Sequence, residues 1–131
     1  MASADMRPSQ DYFADLRASG DPMADIQSFL AAKRPDTWRH VQAVASVAAK
    51  LAVRFRVPAG AARIASLGHD LAAVVPRSEI GSVAESWGVL LAPADRQIPQ
   101  IIHGPLAAAV MAQRLGVTDQ AILDAVRYHT T

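Results

Sequence analysis

The chain has 131 residues, 51% of them hydrophobic, with thirteen basic and twelve acidic side chains and a formal net charge of +1. That length supports one domain around one core, and the near-balance of charge gives no global field for drawing in nucleic acid. Cysteine is absent, which excludes disulfides, thiolate metal sites and cysteine nucleophiles.

Residues 1–20 are polar, contain Pro8 and carry only a weak helical pattern around "DYFADLRA". A loose N-terminal arm is expected there. The opening "MASADMRPSQ" has no apolar stretch of the secretory kind, and no run nears the roughly 18 to 20 apolar residues of a membrane span. A cytoplasmic protein without membrane contact is the expectation. Asp21 followed by Pro22 predicts a cap and first helical position for "MADIQSFLAAK". Pro35-Asp36 opens the longest segment, in which Trp38, Val41, Val44 or Ala45, Ala48, Leu51 and Phe55 recur at helical spacing. Ala and Val fill much of its other side, predicting a central helix enclosed on most faces.

Val57-Pro58 restarts a helix that runs into His69-Asp70 and is finished by Pro76. "SEIGSVAESWG" predicts a shorter helix, and "LAPADRQIPQII" a short helix or loop. Gly104-Pro105 reads as the start of the next helix, just after His103, and Thr118 as the cap of the last. Short alternating runs of β-branched or aromatic residues are lacking, so no strand is predicted. The fold class is all-α, a single helical bundle.

The four histidines, His40, His69, His103 and His129, fall at helix ends or on inward faces of these helices. A single histidine on an apolar face is ordinarily a core residue with one hydrogen bond, and a His-Asp dipeptide means little alone. Four such placements, one with a carboxylate beside it, are better explained by a shared site. Their separations match no zinc-finger or HExxH spacing. They suit a centre in a helical bundle to which each helix donates one inward ligand. Imidazole and carboxylate without sulfur select iron, manganese, zinc or a similar divalent ion. Asp70 has two oxygens and can bridge two ions, an arrangement that clamps a phosphate for in-line attack.

The order His, His-Asp, His, His on helices resembles the HD-domain metal-dependent phosphohydrolases. "IIHGPLAAAVMAQRLGV" followed by "ILDAVRYHTT" is similar to the YqeK branch, the symmetrical diadenosine tetraphosphate hydrolases of bacteria. The likeness runs from about Asp21 to the last residue, and its specific part is the two C-terminal motifs. It implies an HD-type bundle over residues 21–131 and a dinuclear divalent centre, with iron favoured and manganese an alternative. By the same resemblance His40, His69 and Asp70 hold the first ion. Asp70 also reaches the second, which His103 and His129 complete. The implied reaction is hydrolysis of a dinucleoside tetraphosphate to two nucleoside diphosphates, with Asp70 acting through a metal-bound water.

This chain departs from the pattern in three places. The family carries Arg three residues before the first His, where Thr37 stands here, and a Lys near the position of Ala73. Loss of that cation is expected to weaken phosphate binding. The family also continues past His-Thr-Thr into two more helices, the last bearing a further ligand Asp. The chain is therefore expected to be C-terminally incomplete and weakly active, with an apolar groove that favours a homodimer. Arg127, inside the family motif, is a candidate for meeting substrate phosphate. Arg34, Arg54, Arg56 and Arg63 read as a solvated face, Trp38 and Trp87 as core aromatics. Two other readings stay open: an HD domain of little or no activity that binds nucleotide or a partner, and an HD-type nucleotide 5′-monophosphatase.

Overall fold

Residues 10–129 are described by the structure, a computed structural model. They form six α-helices and two short 3₁₀ turns, with no strand among the described residues. Helix α1 spans Pro22–Lys33, α2 Pro35–Arg54 and α3 Ala59–Gly68. After a 3₁₀ turn at Leu71–Val74 come α4 (Ile80–Ser86), a second 3₁₀ turn at Asp95–Gln97, α5 (Pro99–Gln113) and α6 (Gln120–Arg127). The all-helical class predicted from periodicity is the one observed. No helix among the described residues is long and apolar enough to cross a membrane.

Local chemistry sets the helix starts. Asp21 caps α1 by accepting from the Ala24 N–H at 3.3 Å, with Pro22 at the first position where a missing N–H costs nothing. Pro35 likewise takes the first position of α2, which has no side-chain cap. Two starts differ from expectation. Helix α5 begins at Pro99, so His103 and Gly104-Pro105 lie inside it. Pro105, the seventh residue of this helix, has no N–H to give to the carbonyl of Ile101, so the ladder lacks one bond there. The cap of α6 is Asp119, whose carboxylate accepts from the Ala121 N–H at 2.9 Å, one residue beyond Thr118.

The enclosed helix is α5 rather than α2. Ile102, Leu106, Ala107, Ala108, Val110 and Met111 are all buried, against α4 on one side and α6 on the other. Helix α2 packs along α3 through Val41, Ala45, Ala49 and Ala52, but its other face is open. Ala43, Val44, Val47, Ala48 and Leu51 line an almost wholly apolar groove there, with Val47 58% exposed. The Ala-Val pattern that suggested enclosure covers two faces of α2, and within the described residues only one is filled.

The segment before α1 also corrects its expectation. Residues 1–9 lie outside the described part, but residues 10–20 are packed rather than loose. Phe13 is fully buried, with its ring centroid 6.0 Å from Phe29 and 5.6 Å, edge-on, from Trp87. Leu16, three residues on, is buried on the same side. The buried carboxylate of Asp25 receives the Ser19 N–H at 3.0 Å and the Ser19 hydroxyl at 2.6 Å, so its burial is compensated. Arg114 donates to the Phe13 carbonyl and lies 5.0 Å over the Trp87 ring.

Truncating Phe13 removes an aromatic from a closed core, where such changes cost about 3–5 kcal/mol. Phe13→Ala is expected to lower the thermal unfolding midpoint by many degrees. Melting followed by circular dichroism checks this; an unchanged midpoint would mean that residues 10–20 are not part of the cooperative unit.

Candidate metal centre

Helix α3 ends at the site. His69 occupies its C-cap position, and the side-chain Nδ1 lies 2.5 Å from the Ser66 carbonyl oxygen. A carbonyl only accepts, so Nδ1 carries the hydrogen. The imidazole thereby satisfies one of the carbonyls that every helix leaves open in its last turn. Helix α6 ends the same way: His129 stands two residues past Arg127, and its Nδ1 lies 2.6 Å from the Val126 carbonyl oxygen. Two histidines thus serve as helix terminators, each fixed in the tautomer that leaves Nε2 as the lone-pair nitrogen.

That lone pair meets a carboxylate. His69 Nε2 lies 3.3 Å from Asp70 Oδ2, and His40 Nε2, from the first turns of α2, lies 3.3 Å from the same oxygen. With Nδ1–H committed to Ser66, a neutral His69 would face Asp70 with two acceptors and nothing between them. Such an arrangement needs a proton or a cation. The proton is visible in the acid–base behaviour. Burial opposes the His69 imidazolium, but the hydrogen bonds to Asp70 and the Ser66 carbonyl, with the charge of Asp70, outweigh it and raise the pKa. The His69 hydrogen bond lowers the pKa of Asp70 against the cost of burial, helped by the charges of His69, His40 and His129.

His40, His69 and Asp70 offer ligand atoms that all lie within 4.8 Å of one another, the one such group among the described residues. The two 3.3 Å separations match a coordination polyhedron: bonds of roughly 2.0–2.2 Å place neighbouring ligand atoms about 3.0–3.5 Å apart at octahedral or tetrahedral angles. The donor set therefore fits a divalent ion.

Of the other predicted residues, His129 touches the triad directly. His129 packs edge-on against His69 with ring centroids 5.0 Å apart, and His40 does so from the other side at 5.7 Å. His103, half-buried on α5, has its pKa lowered first by burial and further by the charges of His129 and Arg77, against the opposing influence of Asp70. All four histidines and Asp70 thus share one electrostatic environment, although His103 and His129 are outside the tight triad. The histidines are not uniformly inward: His40 is 56% exposed at the side chain. Arg127 is held 3.7 Å from Asp124 and stacks against Tyr128.

Two glycines allow this convergence. A Cβ on Gly104 would stand on the Arg127 carbonyl oxygen and 2.9 Å from that of Val126, so only glycine lets α5 lie against the end of α6. That close approach seats His129 beside the helix carrying His103. A Cβ on Gly68 would meet the Met111 thioether at 2.5 Å, so α3 presses onto α5 one residue before His69.

Sequence reading missed two residues. Arg34, taken for a solvated side chain, donates from Nη1 to the Ala73 carbonyl at 2.6 Å, thirty-nine residues away. Arg77, which carried no expectation, lines one pocket with Arg34 and His103. The only signal for Arg77 was its place one residue after the proline that ends the His-Asp segment. Arg34 had none, because its partner is a backbone atom.

Comparison with known proteins agrees with the motifs. No protein-family model matches the chain, and no solved structure matches it significantly. It is 34% identical over 92 residues to a protein of Bacillus subtilis (strain 168) named symmetrical bis(5′-nucleosyl)-tetraphosphatase, covering 70% of this chain and 49% of the relative. A protein of the same name from Staphylococcus aureus (strain NCTC 8325 / PS 47) is 29% identical over 103 residues, covering 72% of this chain and 48% of the relative.

Gly104→Ala forces backbone apart rather than a flexible side-chain tip, and overpacking of this kind costs about 1–3 kcal/mol. The variant is expected to be destabilised and to show displaced His103 and His129 imidazole resonances in the NMR spectrum. Unmoved resonances at unchanged stability would contradict the close approach described. From motif and alignment together, the chain is a relative of the proteins named symmetrical bis(5′-nucleosyl)-tetraphosphatase and spans about half their length.

Proposed function

We propose that the chain is an HD-type metal-dependent phosphohydrolase that cleaves a dinucleoside tetraphosphate symmetrically. The observation that carries the reading is the Asp70 carboxylate oxygen facing the Nε2 atoms of His40 and His69 at 3.3 Å each. The printed names of the two relatives support the substrate class. In this reading His40, His69 and Asp70 would hold one divalent ion. His103 and His129 would serve a second together with Asp70, and iron or manganese would suit the oxygen–nitrogen donor set.

A bound divalent ion supplies two things: a water acidic enough to be a nucleophile near neutral pH, and positive charge against the phosphoryl oxygens. The protein supplies position. Asp70, held ionised by the imidazoles around it, orients the attacking water by hydrogen bonding and fixes its line of approach. The Ser66 and Val126 carbonyls lock the His69 and His129 rings so that neither can swing on and off the site. The proton that His69 and Asp70 share competes for the same lone pairs, so binding of a divalent ion would strengthen as pH rises through the His69 titration.

For P¹,P⁴-diadenosine tetraphosphate the water oxygen bonds to one inner phosphorus as the central P–O–P bridge breaks. The bridging oxygen leaves with the second half, and the products are two ADP. Attack at an outer phosphorus would give AMP and ATP. Chromatography of the products is expected to show ADP alone, with turnover lost on chelation and restored by iron or manganese. His103→Ala is expected to reduce turnover by at least about 100-fold, the size of one strong transition-state contact. Activity that survives exhaustive chelation, or a fully active His103→Ala, would sink the proposal.

A further inference from the structure

Beside the triad, on the side of His103, lies a pocket lined by Arg34, Ala73, Val74, Val75, Pro76, Arg77 and His103. Its volume is about 430 Å³, room for two or three phosphate groups with their water. The polar side chains at its wall are two guanidiniums and an imidazole, without a carboxylate. We propose that Arg34 and Arg77 form a polyphosphate-binding subsite that grips the phosphates of the substrate beyond the bond being cleaved. The inference rests on the phosphohydrolase reading and adds residues that the metal centre does not use.

The two arginines are prepared differently. Arg34 sits at the junction of α1 and α2 and is tethered twice. Nε and Nη2 donate to the Asp36 carboxylate at 3.2 and 3.1 Å, while Nη1 reaches across to the Ala73 carbonyl. Three of its five N–H groups are thereby used, which leaves one on each terminal nitrogen. The guanidinium is held in place with donors to spare, the condition under which little side-chain entropy is lost when an anion binds. Asp36 offsets part of its charge, so Arg34 acts mainly as an oriented donor. Arg77 is exposed, and no carboxylate pairs with it among the described residues. It brings the uncompensated positive charge. The 3₁₀ turn at Leu71–Val74 directly follows Asp70, so an anion bound on this wall is a few residues from the reacting centre.

Phosphate chains suit such a pair because guanidinium forks match phosphate oxygens with two parallel hydrogen bonds, each charge-assisted. A neutral ligand or a cation would leave the charge of Arg77 uncompensated.

The test is calorimetric titration of the chelator-treated protein with inorganic tripolyphosphate at fixed ionic strength, which needs no metal and no turnover. The parent is compared with Arg77→Gln, Arg34→Gln, Arg34→Lys, and the exposed Arg54→Gln as a charge control. The parent is expected to bind. Arg77→Gln should weaken binding about tenfold, the usual loss for one charge-assisted contact. Arg34→Gln should do likewise, Arg34→Lys should recover part of the loss, and Arg54→Gln should bind as the parent. Equal melting midpoints for Arg77→Gln and parent exclude a folding effect. No binding by the parent, or an equal loss in Arg54→Gln and Arg77→Gln, would overturn the subsite. Arginine-dependent binding by a protein that hydrolyses nothing would leave the subsite standing and remove the proposed activity. Turnover with the KM of Arg77→Gln unchanged would do the reverse.

Discussion

One carboxylate oxygen organises this molecule. Asp70 Oδ2 stands 3.3 Å from two imidazole nitrogens, and the His69 ring cannot donate to it as a neutral group because its single N–H is spent on the Ser66 carbonyl. Left alone, such a set of acceptors repels itself in a half-buried place, at a cost on the scale of an unsatisfied polar group, about 1–3 kcal/mol. A proton relieves it one way and a divalent ion another. The rest of the fold holds these groups together against that repulsion.

The means are backbone devices at helix ends. His69 and His129 each cap an open carbonyl three residues back, so the interaction that terminates the helix also fixes the ring. Gly104 and Gly68 remove the side chains that would keep α5 from α6 and α3. Around this rigid centre the surroundings are asymmetric. Val44, Ala65 and Ala125 join His69 and His129 along an apolar cleft on one side, while Arg34, Arg77 and His103 border the other pocket.

Local signals in the sequence were the legible ones. Asp21-Pro22, Pro35 and the His-Asp dipeptide before Pro76 each announce a helix boundary through their own chemistry, and each stands where expected. The helix class followed from periodicity, and the nearness of His40 to His69 and Asp70 from their positions at helix ends and on inward faces. Features that depend on distant partners stayed hidden. Phe13 and Leu16 are two apolar residues in a polar stretch, and only the pocket between Phe29 and Trp87 reveals their burial. Helix α2 was expected to be enclosed and is open on one face, because periodicity cannot say which apolar face finds a partner. Arg34 and Ala73 illustrate the limit: a guanidinium bound to a carbonyl thirty-nine residues on leaves no trace in spacing.

The central claim is that the acceptors around Asp70 are built for a divalent ion, and metal analysis joined to anomalous X-ray scattering reaches it most directly. Crystals of the protein reconstituted with iron or manganese are predicted to show an anomalous peak within bonding distance of His40, His69 and Asp70. Asp70→Ala should lose more metal than any single histidine variant, because it removes the carboxylate that faces two imidazoles. Protein free of metal after reconstitution, or a peak bound elsewhere with Asp70→Ala fully loaded, would contradict the account.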